Sequence, residues 1–526
     1  MERTRRELLQ AGPVLAATPL AASGPSVAAT SGPASVLRID PTPLFSISPY
    51  LYMQFMEPLG VTDGSVEAAW DHDTDDWRRD FVDRAADLSP DVVRFGGLFS
   101  RYYRWREGVG PAAERPPMRN HVWGGWEPNR VGTGEVVSLC RRMGAEPLFC
   151  VNFLSDGHAG YAWTREGNRT GDAREAADWV AYCNDPSHPE RRRHGFSEPH
   201  AVRLWQVGNE TSYGEGGFAK DEAIARTAEF ARAMRERDPS IKLIGWGDRA
   251  FHREGTSPEL WAGDMVERAG EHLDYVAIHM MQQFPTRPES VLRGQRYQNE
   301  PERAWDELLE LSRGAEARLV ELEQVLDAKG VGTRIAVTEG HLSLPPHNAN
   351  PILLEWFTGV FHARAMNTYQ RHGARVGIAT AADFNGTRWT VVAVRTQVPR
   401  GVSYLTPVGS VMRLYKRHNG RDSVAVTAAP ADLDVAASRT GDVLFLHVAN
   451  LRYADAVDAT FAVEGRTVTG GRVVEIAPAD PRSAVSQDEP DAFAPRERSL
   501  RTGPEWRWRF PAASVSVVEL RLAPAV

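Results

Sequence analysis

An alternation constrains this chain more than anything else in it. Between residues 50 and 398, short apolar runs take turns with longer stretches whose apolar residues recur at helical spacing. That pattern is the signature of βα units built around a parallel sheet. The runs expected as strands are Tyr50–Met56, Val92–Phe95, Glu146–Asn152, Val202–Val207, Lys242–Trp246, Leu273–His279, Thr333–Thr338 and Arg375–Ala381. Between them, Trp77, Phe81, Val82, Ala85 and Leu88 keep helical spacing, as do Val136, Val137, Cys140 and Met143 after Thr133. Leu319, Leu322, Val325 and Leu326 run up to Lys329-Gly330, a helix stop. Eight such units predict an α/β fold, a (β/α)8 TIM barrel over 50–398.

The texture changes at residue 399. Val424–Thr427, Val443–Val448, Thr467-Val468, Val473-Val474 and Ser514–Leu522 are β-type runs divided by Gly, Pro and Asp. With no helical period visible among them, they predict an antiparallel β-sandwich over 399–526. The segment 31–49, through Val36–Ile39, is expected to add a strand to it. Residues 1–30 are of another kind. The pair Arg5-Arg6, a mild apolar stretch and the small residues Val27-Ala28-Ala29 resemble a twin-arginine export signal. They imply an extracellular or cell-envelope protein of a bacterium.

Composition narrows the function classes. With 42% hydrophobic and 25% charged residues the chain is a soluble globular type. Outside the amino terminus no apolar run is long enough to span a membrane. A net charge of -8 predicts no general attraction to nucleic acid or anionic lipid, and Arg191-Arg192-Arg193-His194 is expected as a solvated loop. Three cysteines are too few for a disulfide framework. The run Asp71–Asp76 is rich in oxygen ligands but lacks the Gly and closing Glu of a calcium loop. It is expected instead to cap the helix starting near Trp77. Neither HExxH, CxxC nor a phosphate-cradling GxxxxGK[ST] occurs, so no metal and no cofactor is expected.

Chemistry in such a barrel belongs at the carboxyl ends of its strands. The fourth strand ends Leu204-Trp205-Gln206-Val207-Gly208-Asn209-Glu210, and the seventh ends Ile335-Ala336-Val337-Thr338-Glu339. Two glutamates on opposite strands suit glycoside hydrolysis, which needs one acid for the leaving oxygen and one carboxylate for the anomeric carbon. Asn209 is placed to donate to a sugar hydroxyl beside the reacting carbon. Trp105, Trp123 and Trp126 are expected in loops over the mouth, either stacking on sugar rings or anchoring the loops.

Several segments, in order, resemble glycoside hydrolase family 51, the α-L-arabinofuranosidases. They are ISPYLYMQFMEPLG, VVRFGGLFSRYYRWREGVGPAAERP, WGGWEPNRVGTGEVVSLCRRMGAEP, DWVAYCN, LWQVGNE, QDEPDAFAP and PAASVSVVEL. The resemblance implies Glu210 as acid/base and Glu339 as nucleophile of a retaining, double-displacement reaction. It implies Glu57, Arg94 and Asn209 as their neighbours, with Arg94 beside the nucleophile to favour its charged form. His279, Asp383 and Trp105 complete the expected substrate-binding set.

The departures bear on the sugar. Pro58 stands where the family has His, Leu98 where it has Asn, and His279-Met280-Met281 carries no Tyr. Asp383 replaces a Gln, and Gly340-His341 rather than Trp follows Glu339. The expected function is a secreted retaining exo-glycosidase, with α-L-arabinofuranosides as leading substrate and an oligo- or polysaccharide as partner. The alternatives are an endo-acting glucanase or xylanase of the same family and a carbohydrate-binding protein without turnover. Members of the family often form homo-oligomers.

Overall fold

Eight parallel strands follow one another around a barrel, each followed by a helix. The computed structural model describes residues 36–60, 64–213, 217–249, 260–283, 287–344, 350–386, 391–500 and 506–524. The strands are β1 (Met53–Met56), β2 (Val92–Phe95), β3 (Glu146–Val151), β4 (Leu204–Val207), β5 (Lys242–Trp246), β6 (Tyr275–Gln283), β7 (Arg334–Ser343) and β8 (Val376–Ala379). Each pairs in parallel with the next. A parallel bridge between Tyr52 and Ala379 closes the ring. The helices are α1 (Arg79–Leu88), α2 (Thr133–Met143), α3 (Ala173–Asn184), α4 (Lys220–Arg237), α5 (Ala262–Ala269), α6 (Pro301–Ala328), α7 (Phe357–Arg371) and α8 (Pro407–Arg417). Short strands at Asp383–Asn385, Val392–Arg395 and Tyr404-Leu405 extend the sheet from β1, where Asp383 lies opposite Phe55.

Met53, Phe55, Val92, Leu148, Leu204, Ile244, Ala277, Ala336 and Ile378 form one buried apolar cluster. Every barrel strand contributes to it, so its members are the side chains that turn inward. Outward-facing Val93, Phe149, Trp205, Leu243, Val276, Ile335 and Val337 belong to the larger core beneath the helices. Nine further strands form the second domain. Their order is Arg496–Ser499, Val468–Ile476, Val515–Leu522, Val443–Asn450, Leu433–Thr440, Asp422–Ala428, Val36–Ser46, Val457–Val463 and Trp506–Phe510. Leu37, Ile39, Leu444, Leu446, Phe461, Val518 and Leu520 are among the residues of its own core.

Three expectations are corrected. The carboxyl-terminal part of the second domain begins at Asp422, not at 399, because α8 intervenes and its apolar face packs against the barrel. Thr406 caps α8 by accepting from the Gly409 N–H, and Pro407 opens it. Asp71–Asp76 does not cap α1. Trp70-Asp71 and Asp76-Trp77 pair as a small hairpin, Asp75 and Asp76 bind Arg130 and Arg142, and the helix starts behind an uncapped Arg78. Arg191 is no solvated loop residue. It is buried in a short helix over Pro189–Arg193, donating to the carbonyls of Tyr182, Asp185 and Pro186. Cys140, Cys150 and Cys183 are buried free thiols. Among the described residues no helix is long and apolar enough to cross a membrane. The region 1–30 lies outside the described residues.

Candidate active site

At the carboxyl end of the barrel, β1, β2, β4, β6 and β7 bring their polar residues to one point. Arg94, on β2, is fully buried and spreads its guanidinium over three of them. Nη1 lies 3.1 Å from Glu339 Oε1, Nε donates to Gln206 Oε1 at 2.7 Å, and Nη2 donates to Asn209 Oδ1 at 2.6 Å. A planar fork with several donors suits this better than lysine would. The Nδ2 of Asn209 has no hydrogen-bond partner among the described residues.

Glu210 follows β4 in an uncommon conformation. Gly208 has φ 77° and Glu210 itself φ 56°, both in the left-handed region that non-glycine residues seldom enter. Its carboxylate meets the Nδ1 of His279 from β6 at 3.0 Å, and the same nitrogen lies 3.6 Å from Glu339 Oε2. His279 Nε2 bonds Thr338 Oγ1 at 3.1 Å. Burial pulls the imidazole down to about 4, so the neutral ring donates through one nitrogen and accepts through the other. Burial also pushes Glu210 up to about 7, against the opposing charges of Arg101 and Arg94. Arg101 Nη2 is 3.9 Å from Glu210 Oε2, and its Nε holds Asp156 at 3.1 Å.

Glu57, just past β1, accepts from the Phe99 N–H at 3.3 Å and from Trp123 Nε1 at 3.2 Å. Burial, with Glu339 nearby, raises it well above the usual carboxyl range. The chain passes so close at Gly97 (φ 125°) that a Cβ there would meet Glu57 Oε2 at 2.2 Å, which explains the glycine. Asp383 pairs with His341, whose Nδ1 is 3.3 Å from its Oδ1, and His341 stacks on Phe55. Burial is the largest influence on His341 and would lower it, but Asp383 together with Glu339 and Glu210 outweighs it and raises the imidazole. The four carboxyl groups Glu57, Glu210, Glu339 and Asp383 are only 5–7% exposed, so the site is almost withdrawn from solvent.

Glu57, Arg94, Asn209, Glu210, His279, Glu339 and Asp383 are thus brought together, and Trp105 is not. It is 2% exposed, lies flat on Trp179 (6.1 Å, 2°) and donates to the Glu175 carbonyl at 3.1 Å. Its segment folds outward against α3 rather than over the mouth, so it is a packing residue. Sequence reasoning missed Gln206, Arg101, Asp156 and Asp248. Asp248 accepts from Tyr213 OH (2.6 Å), the His279 N–H (3.1 Å) and Arg318 Nη2 (2.9 Å), and so fixes the strand that presents His279. A polar residue inside an apolar strand run, as at Gln206, or just past one, as at Asp248, was the available signal.

One ligand atom each from Glu210, His279 and Glu339 lie within 4.8 Å of one another. That spacing would also suit a metal ion. Arg94 and Arg101, however, place positive charge against both carboxylates, which opposes a cation and suits a pair that acts on a neutral substrate.

Comparison with known proteins bears on the fold and on the segment that carries β4. Residues 84–300 match the model of the alpha-L-arabinofuranosidase 1 domain. Over that segment the chain is similar to the arabinofuranosidases of glycoside hydrolase family 51. It is 31% identical over 239 residues to an intracellular exo-alpha-(1->5)-L-arabinofuranosidase of Acetivibrio thermocellus, covering 44% of each chain. It is 32% identical over 208 residues to a probable alpha-L-arabinofuranosidase C of Aspergillus fumigatus, covering 38% of each. The chain thus spans less than half the length of the curated relatives it matches. Its fold resembles the alpha-L-arabinofuranosidase of Thermotoga maritima solved with arabinose. The TM-score is 0.73 and the identity 23%, over 93% of this chain and 100% of that one. The GH51 enzyme of Thermotoga petrophila gives 0.74 at 24% identity, over 92% and 99%.

Proposed function

We propose that this protein is an exported retaining glycosidase that removes single terminal sugars, α-L-arabinofuranosides foremost, from an oligo- or polysaccharide. The observation that carries the reading is the closeness of the two carboxylates, whose facing oxygens lie within 4.8 Å. A retaining pair needs about 5–5.5 Å between carboxyl groups, whereas an inverting pair leaves about 6.5–9.5 Å for a water.

In the first step a Glu339 oxygen bonds the anomeric carbon as its bond to the leaving oxygen breaks, and Glu210 gives that oxygen its proton. In the second, water adds to the same carbon, Glu210 takes back a proton, and Glu339 is released. A carboxyl group at about 7 is poised to give and to take at neutral pH. His279 orients it, and the unpaired Asn209 Nδ2 is a donor ready for a sugar hydroxyl. The near-complete burial of the four carboxyl groups favours one chain-end sugar over a continuous chain. Leu98 stands where the resemblance implies a hydrogen-bonding Asn, and the Asp383–His341 pair replaces a neutral Gln, so the preferred sugar differs in its hydroxyl contacts from one bound by Asn and Gln.

Incubation with an aryl α-L-arabinofuranoside and a panel of other aryl glycosides, with NMR of the first-formed sugar, tests this. The expected result is hydrolysis of the arabinofuranoside with retained configuration. Failure of the folded protein to cleave any glycoside would leave a binding protein instead, and an inverted product would sink the double displacement.

A further inference from the structure

Among the described residues only two tryptophans are exposed, Trp126 at 59% and Trp163 at 73%. Burying an indole is so favourable that leaving two in water calls for an account. Each sits on a two-stranded hairpin. One pairs Met118-Arg119 with Trp126-Glu127, and the other pairs Trp163-Thr164 with Gly167-Asn168. The hairpins are neighbours. His121 Nε2 of the first is 3.8 Å from Glu166 Oε2 of the second, and Tyr102 lies between His121 (5.1 Å) and Tyr161 (5.8 Å).

Both are tied to the catalytic site. Within the first, Trp123 donates to Glu57 at 3.2 Å. The second follows the turn that holds Asp156, which Arg101 clamps at 3.1 Å while reaching Glu210. The two hairpins that carry the exposed tryptophans therefore adjoin the Glu57–Glu210 side of the site. Glu210 is the group that protonates the leaving oxygen, so this is the side where the departing part of the substrate must lie.

We propose that Trp126 and Trp163 form a platform for the leaving-group portion of the substrate, a chain of pyranose sugars whose rings lie on the indoles. A pyranose chair turns a flat set of C–H bonds to one face, matching the electron-rich face of an aromatic ring, whereas a puckered furanose does so poorly. The platform rests on the glycosidase reading for its orientation but not for its existence.

The test titrates full-length Glu339→Gln protein with xylohexaose, a linear pyranose chain, and with arabinopentaose, a furanose chain. Trp126→Ala, Trp163→Ala and the double variant are compared with the parent. Each single change should weaken xylohexaose binding about tenfold, the size of one lost aromatic stack. The double variant should weaken it further, and Trp163→Phe should restore part of the loss. Both side chains are exposed, so unchanged thermal midpoints confirm the fold. Equal xylohexaose affinity in parent and double variant, or no binding by the parent, overturns the platform. A loss confined to arabinopentaose overturns the pyranose assignment. Hydrolysis of aryl glycosides by the unmodified protein is scored separately. Turnover without tryptophan-dependent binding refutes the platform alone. Binding without turnover refutes the glycosidase reading and leaves the platform standing.

Discussion

The Glu210 carboxyl group is held near neutrality by a balance that one substitution can tip. Burial pushes it up to about 7, and Arg101, whose Nη2 lies 3.9 Å from Oε2, pulls the other way. At an effective dielectric constant of about 20, one unit charge at that distance is worth about 4 kcal/mol. At about 1.4 kcal/mol per unit, that is a ceiling of about 3 pKa units. Movement of water and neighbouring dipoles into the space left by the side chain reduces it, so Arg101→Met is expected to raise Glu210 by about 1–2 units. Asp156 loses the same counterion, but burial already holds it at about 7, so it gains a proton rather than adding negative charge. With the acid form of Glu210 as the proposed proton donor, activity should fall as pH rises through its pKa. The alkaline limb of kcat/KM should therefore move from about pH 7 to about pH 8–9. The assay uses an aryl glycoside with a poor leaving group, for which proton donation limits the first step. Arg101→Lys keeps the charge and should keep the limb near its original place. A limb that stays within about 0.3 units in Arg101→Met, or moves to lower pH, would refute Glu210 as the group responsible.

Other outcomes follow from the same geometry. Glu210→Ala should lose most activity on poor leaving groups and keep a fast first step on good ones. Azide should then speed release of the trapped sugar, and equal slowing of all substrates would contradict the acid/base role. Trp105→Ala removes a buried indole stacked on Trp179 and should cost about 3–5 kcal/mol in urea unfolding. KM for an aryl glycoside should stay within about twofold, and a large KM change without loss of stability would return Trp105 to the site. For export, Arg5→Lys with Arg6→Lys should strand the protein in the cytoplasm, as fractionation and immunoblotting would reveal. Equal secretion of the variant would count against a twin-arginine route.

The barrel was legible because its strands are apolar runs bounded by polar breaks, and hydrophobic periodicity survives without knowledge of contacts. All eight lie where the runs predicted, with ends shifted by a few residues. Helix α8 escaped notice because its apolar residues Val408, Val411, Met412 and Tyr415 sit in a stretch that otherwise has a β texture. Strands Leu433–Thr440 and Val457–Val463 were missed for a related reason, since Asp, Ala and Thr dilute their apolar alternation. At the site, the two glutamates could be read from their positions after strands. The function of Gln206 and Asp248 could not, because each works by holding another side chain or strand, and spacing along the chain does not encode such angles. Trp105 failed for the opposite reason. A tryptophan in a loop is equally suited to a sugar and to a neighbouring tryptophan, and only the direction of the loop decides.

Val36–Ser46 is the earliest strand of the described chain, and its partners are among the last to be made. It pairs with Asp422–Ala428 on one side and Val457–Val463 on the other, and it joins two halves of the nine-stranded sheet. During synthesis this strand must wait, with both edges open, while nearly four hundred residues of barrel are added. Open edges invite wrong pairing, so the interval is a vulnerable one for a nascent chain. Its completion, in turn, reports that everything between has been made. If Arg5-Arg6 acts as the export signal proposed above, a tethered amino end would tell an export machinery that accepts only finished proteins that this one is ready to go.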